Sequence, residues 1–209
     1  TTDLTEDQQK TLAAAKKRNQ QIGGLFQAGR YAEALAIAEG NHKVFKQILG
    51  DNSLEVATCL NDMAVLSENM DDFDKAFALY QQALDLRSSL LGPWHPDVAQ
   101  SLNNLSTANI SLGKYRVARP LLERSLEITR NVVGENVADY SAALSNYGQL
   151  LAKQGEFASS ISAMRSALEI DAELFGEDHY IYAMDIANLA STYAASGDDK
   201  TAFKLYSQS

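Results

Sequence analysis

From Phe73 to Leu90 apolar side chains return at Phe73, Ala76, Phe77, Tyr80, Ala83, Leu84 and Leu90, with Arg87 in the same series. Steps of three and four residues lay one stripe along a helix, so this stretch predicts an amphipathic helix packed against a neighbour. The preceding segment, VATCLNDMAVLSENM, carries Val56, Leu60, Met63, Ala64 and Leu66 at similar steps and predicts another helix that ends in a turn at Asp71. The pattern then recurs. Leu49-Gly50, Leu91-Gly92, Val133-Gly134 and Phe175-Gly176 stand 42 residues apart, and Gly29, Asp71, Gly113, Gly155 and Gly197 form a second ladder at the same spacing. Two residues beyond that ladder come Tyr31, Phe73, Tyr115 and Phe157, a column that Asp199 breaks, so the fifth repeat is atypical. Coincident columns at one spacing define a tandem array of helix pairs. Small residues at Ala64, Ser106, Gly148 and Ala190, and at Ala76, Ala118, Ser160 and Ala202, mark where the two helices of each pair cross, because a close approach excludes larger side chains.

The joints between pairs are legible in LGPWHPDVAQSLNNL, residues 91–105. Gly92 suits the left-handed position that ends a helix, and Pro96-Asp97 suits the first turn of the next one. His95 and His179 share a column with Ser53 and Val137, and a ligand or catalytic role would not be distributed in that way. Trp94 is expected to lie as a lid over the end of the preceding helix. Thr5 with Gln8 fits a capping box at the first helix, and Pro120 predicts a local kink in the helix it interrupts.

Composition narrows the function. Three prolines and twelve glycines in 209 residues favour an all-α chain. A net charge of -9 argues against a nucleic-acid binder, and Lys16-Lys17-Arg18 is read as a solvated face. No apolar window is long enough to predict a membrane span. Cys59 stands alone on an apolar helical face, as a buried hydrophobe would, and can form no internal disulfide. None of the H-E-x-x-H, C-x-x-C, G-x-S-x-G or glycine-rich phosphate motifs occurs. His42, His95 and His179 are too dispersed for a metal cluster, and Asp71-Asp72 and Asp198-Asp199 occupy turns. Gly23-Gly24 falls in a helical pattern, where it permits close packing or breaks the first helix. No catalytic residue, metal site or cofactor is expected, and the chain is not expected to be an enzyme.

With these columns in view, LGPWHPDVAQSLNNL and LGKYRVARPLLERSLEI resemble the tetratricopeptide repeat family, in the 42-residue variety of kinesin light chains and of many bacterial multidomain proteins. The resemblance implies a right-handed α-solenoid of antiparallel helix pairs. About five units are expected, near residues 5–50, 51–92, 93–134, 135–176 and 177–209, in one domain over 1–209. The last unit looks truncated at Ser209, so a continuation beyond it is expected. The family also implies a concave groove lined by the first helix of each pair. Its groove-facing columns and the amide column beside them give the candidate peptide-binding residues Asn61, Gln100, Asn103, Asn104, Thr107, Asn146, Gln149 and Asn188. Side-chain amides both donate and accept, so such a column can hold the backbone of an extended peptide. The alternative is that the asparagines brace the two helices of a pair.

A carboxylate clamp is not expected, since only Lys153 and Lys16 supply cations in these columns. Nor does the groove look basic enough for the acidic tryptophan motifs that kinesin light chains recognise. The functional expectation is a non-catalytic scaffold that binds a protein or peptide, with self-association possible and neither nucleic acid nor membrane as partner. The alternative is a regulatory arm of a larger enzyme, such as a caspase-like (CHAT) protease, an NTPase or a kinase beyond Ser209. No address is readable, and a cytoplasmic setting is the default.

Overall fold

The computed structural model describes residues 4–207. Ser209, where the last helix was expected to be cut, and the Thr1-Thr2-Asp3 start lie outside the described residues. Ten helices follow one another: α1 (Glu6–Gln27), α2 (Tyr31–Leu49), α3 (Leu54–Glu68), α4 (Phe73–Leu91), α5 (Pro96–Ser111), α6 (Tyr115–Val132), α7 (Ala138–Lys153), α8 (Phe157–Phe175), α9 (Tyr180–Ala195) and α10 (Asp199–Tyr206). No strand occurs among the described residues. The 42-residue period reappears to the residue: α3, α5, α7 and α9 begin at 54, 96, 138 and 180, and the even-numbered helices begin on the aromatic column.

The turn inside each pair follows from backbone hydrogen bonding. Arg30, Asp72, Lys114, Glu156 and Asp198 each donate their N–H to the carbonyl five residues back, at 2.8–3.0 Å, and so close the end of the first helix. This closure forces the residue before each donor into the left-handed region, which is why glycine occupies that ladder. Asp71 is the exception, with φ of 61°, and it is the one non-glycine residue with positive φ among the described residues.

The joints between pairs use side chains instead. Ser53 accepts from the Val56 N–H at 3.3 Å, His95 Nδ1 from the Asp97 N–H at 3.1 Å, and His179 Nδ1 from the Ile181 N–H at 3.3 Å. The histidines are thus helix caps, and Val137, the fourth member of their column, makes no side-chain cap. At the N-terminus Thr5 and Gln8 form the capping box, with bonds of 3.2 and 2.9 Å. α6 runs unbroken through the exposed Pro120.

The chain divides into two compact units, Thr1–Pro93 and Trp94–Ser209. In the first, α1 packs on α2, α2 on α3 and α3 on α4. Ala34, Ala64 and Ala76 are fully buried there. Cys59 is buried as well, and burial pushes its thiol up to about 12, in keeping with a hydrophobe rather than a nucleophile. The basic run of α1 is used within the unit: Lys16 pairs with Glu55 of α3 at 3.0 Å, and Arg18 donates to the buried Asn41 of α2 at 3.1 Å.

In the second unit α5 packs on α6, α6 on α7, α7 on α8, α8 on α9 and α9 on α10, with lighter contacts of α7 against α5 and α9. Ala118, Leu122 and Leu150 form a core cluster flanked by Ile110, Tyr115 and Tyr147. The crossing of α7 over α8 is tight: Ser160 Oγ donates to the Gly148 carbonyl at 2.7 Å. The Trp94 indole lies beneath the Arg124 guanidinium of α6, 3.7 Å from the ring centre. Its ring is half exposed and serves as a cation–π platform.

Candidate functional site

In the second unit α5, α7 and α9 carry seven of the eight candidate residues, and the eighth, Asn61, is on α3 of the first unit, half-buried. Asn146 of α7 donates through Nδ2 to Asn103 Oδ1 at 3.0 Å and to Thr107 Oγ1 at 3.4 Å, both on α5. Thr107 in turn donates to the Asn103 carbonyl at 3.2 Å. Three candidates therefore form one polar network. Through Asn146 it ties together the first helices of successive pairs. The network leaves Asn103 Nδ2 as a donor and Asn146 Oδ1 as an acceptor, neither with a partner among the described residues. Asn104 is half-buried and Gln100 exposed, farther along the same helix.

Asn146, Gln149 and Asn188 line a depression of about 350 Å³ bounded by α7, α8 and α9. Its rim is apolar. Tyr180, Met184 and Phe175 are 68%, 57% and 38% exposed although each is large and hydrophobic. Its floor is acidic. Asp171 of α8 and Asp185 of α9 are buried, at 2% and 6% exposed, and both line the depression.

Ser145 Oγ donates to Asp185 Oδ1 at 2.6 Å, and Asn188 hydrogen-bonds the same carboxyl group. Burial, the hydrogen bond with Asp171 and that residue's charge together push Asp185 up to about 7, against the opposing bonds from Ser145 and Asn188. A buried carboxyl group beside a second one ionises at a cost, which is why Asp185 keeps its proton well above the usual carboxylate range.

The sequence pattern had not singled out these acids, although a signal was present. Asp185 falls in a column with Cys59, Ser101 and Ala143, and Asp171 in one with Phe45, Arg87 and Thr129. Every other member of both columns is buried too, so an acid in each was the anomaly.

The rest of the molecule offers little chemistry. Among the described residues no group of three His, Cys, Asp or Glu side chains could hold a metal ion. No helix is long and apolar enough to cross a membrane. Asp62 of α3 is pushed up to about 6 by burial, against the opposing charge of Arg87.

The tetratricopeptide repeat family model matches residues 63–131 and 139–209, about two thirds of the sequence. The chain is a tetratricopeptide repeat (TPR) protein. No curated protein matches its sequence. Solved structures share the fold of this TPR chain at low identity. A protein of Podosopora anserina assigned as a kinesin light chain with nearly identical TPR-like repeats is 18% identical, over 94% of this chain and 93% of that one, with a TM-score of 0.73. A Rap protein solved in complex with Competence and Sporulation Factor is 17% identical, over 96% of this chain and 54% of that one, with a TM-score of 0.81. YrrB, described as a TPR protein with an unusual peptide-binding site, is 17% identical, over 91% of this chain and 82% of that one, with a TM-score of 0.52. The resemblance to kinesin-light-chain-like repeats read from the sequence thus holds for family and fold, and TPR repeats are typically interaction scaffolds without catalysis.

Proposed function

We propose that this TPR chain binds an extended peptide or partner segment along the face made by α5, α7 and α9, without catalysing a reaction on it. The observation that supports this most is the unfilled half of the asparagine network. Asn103 Nδ2 and Asn146 Oδ1 are held in place by the bonds their other amide atoms make, and together they offer one donor and one acceptor. A peptide unit offers the complement, one carbonyl and one N–H, so the pair can hold a backbone irrespective of its side chains. Thr107, Asn104 and Gln100 extend that polar strip along α5, Gln149 and Asn188 carry it on α7 and α9, and Asn61 supplies the equivalent position in the first unit. YrrB and the Rap protein, described with a peptide-binding site and in complex with a bound factor, set the precedent for such a use of the fold.

Selection of a random peptide display library against the chain, with Asn103→Ala/Asn146→Ala as counter-target, tests the proposal. Enriched peptides should lose about tenfold or more in affinity for the double variant, in line with the loss of two hydrogen bonds of about 1 kcal/mol each plus their alignment. Peptides that bind both proteins equally would move the ligand off this strip.

A further inference from the structure

Asp171 and Asp185 pose a problem that the scaffold alone does not solve. Burying two carboxyl groups side by side destabilises the fold unless a cation compensates them. None does: among the described residues Asp171 has only Asp185 as polar partner, and Asp185 has only Asp171, Ser145 and Asn188. One repeat earlier the same two columns hold neutral residues, Ala143 and Thr129. The two acids also do not face a sealed core. They form the floor of a 350 Å³ depression open to solvent, and no Lys, Arg or His side chain lines it.

The rim supplies a second, independent pointer. Tyr180 leaves 68% of its surface exposed and Met184 57%, with Phe175 beside them, so a large apolar and aromatic collar surrounds an anionic floor. This combination suits a side chain with an apolar stem and a cationic head, for which the collar takes the stem and the ring faces attract the charge.

We infer that the depression between α7, α8 and α9 is a pocket for a basic side chain of a bound peptide, with Asp171 and Asp185 together receiving its ammonium or guanidinium group. Arginine is the better fit, because its planar fork can bridge two carboxyl groups with parallel hydrogen bonds where lysine brings a point charge. The inference rests on the groove reading above, since Asn146, Gln149 and Asn188 line the same depression, and it specifies one residue of the ligand.

Binding is coupled to a proton. In the free protein Asp185 keeps its proton up to about 7, and an arriving cation displaces it, so affinity rises with pH until Asp185 has lost that proton. The other groups facing the site are Asp139 of α7 and the Tyr180 phenol of α9, both lining it, and His179 at the start of α9, stacked on Phe175 with ring centres 4.9 Å apart. No residue of α10 lines it.

Two probes test the pocket directly on the full chain: N-acetyl-arginine amide and its neutral isostere N-acetyl-citrulline amide, titrated in heteronuclear NMR. The arginine compound should shift the amides of Ser145, Asp171 and Asp185, citrulline should not, and Asp171→Asn/Asp185→Asn should abolish the effect. Affinity for the native chain should rise several-fold from pH 6 to pH 8, towards a limit of tenfold per pH unit for one displaced proton. Equal shifts from both compounds, or none from either, would overturn the pocket, and this comparison needs only the native chain should the double variant fail to fold. The library selection separates the two proposals. Peptides that need Asn103 and Asn146 but show no fixed basic residue and bind Asp171→Asn/Asp185→Asn unchanged would keep the groove and remove the pocket. Arginine binding without any enriched peptide would do the reverse.

Discussion

Gly148 gives the sharpest test of how the repeats pack. A Cβ added there would lie 2.6 Å from Met164 Cγ, 3.3 Å from Met164 Cε and 3.2 Å from the Ser160 carbonyl oxygen. Carbon atoms in contact sit about 3.5–4.0 Å apart, so Gly148→Ala requires Met164 to retreat by about 1 Å or α7 and α8 to part. Met164 has little room: it is 2% exposed, and its sulfur accepts from Thr192 Oγ1 at 3.3 Å. Overpacking of this kind costs about 1–3 kcal/mol. Replacing a mid-helix glycine by alanine contributes about 1 kcal/mol in the other direction. The net expectation is a destabilisation of up to about 2 kcal/mol, read from urea unfolding. Trp94, the single tryptophan, belongs to the second unit and reports on it by fluorescence. Met164→Ala in the same chain should recover part of the loss, giving a double variant less destabilised than the sum of the singles. A Gly148→Ala variant stabilised by about 1 kcal/mol would show that helix propensity alone acts at this site, and the crossing inferred from the small-residue columns would be refuted.

Asp71→Gly should stabilise the first unit by about 1 kcal/mol, because an L side chain in the left-handed region costs about that much; a loss of stability in urea would show that the carboxylate earns its position. Ala118→Leu, at a fully buried site beside Leu122, should cost about 1–3 kcal/mol in the same assay, and a neutral result would mean the register of α6 is wrong. Asp62→Asn should stabilise in a pH-dependent way. Because burial raises the folded carboxyl to about 6, above its unfolded value near 4, native stability falls as pH climbs between these values and levels off above. The advantage of the Asn variant should therefore grow over that window to about 1–3 kcal/mol, and a pH-independent difference would rule out desolvation as the cause.

The sequence pattern located the helices well because the determinants of their ends are local. A left-handed residue closing each turn and an aromatic two residues later are read from one stretch of chain, and both ladders coincide with helix boundaries. The same locality explains what was misread. His95 and His179 were correctly placed in joints, but their capping bonds depend on a ring nitrogen reaching an N–H two residues on, which composition does not reveal. The partner of Trp94, Arg124, lies 30 positions later in sequence and is brought there by the α5–α6 hairpin, beyond the reach of a local pattern. The bond between Asn146 and Asn103 spans a full repeat, so the column could nominate both residues without showing that one orients the other. Asp171 and Asp185 escaped notice because each looks unremarkable in its own helix, and only the meeting of α8 with α9 makes them a pair.

The uncapped start of α7 has a consequence for how the array comes apart. In a linear stack each hairpin is held only by its neighbours, so breathing begins at the weakest seam. Ser53, His95 and His179 each pin the first turn of the helix that follows, and Val137 does not, which makes the α6–α7 joint the natural tear line within its unit. Amide protons of residues 138–141 should exchange with solvent sooner than those that open α5 or α9. A ligand gripping Asn103 on one side of this seam and Asn146 on the other would act as a stitch, so its arrival should be legible as slowed exchange at backbone positions it never touches.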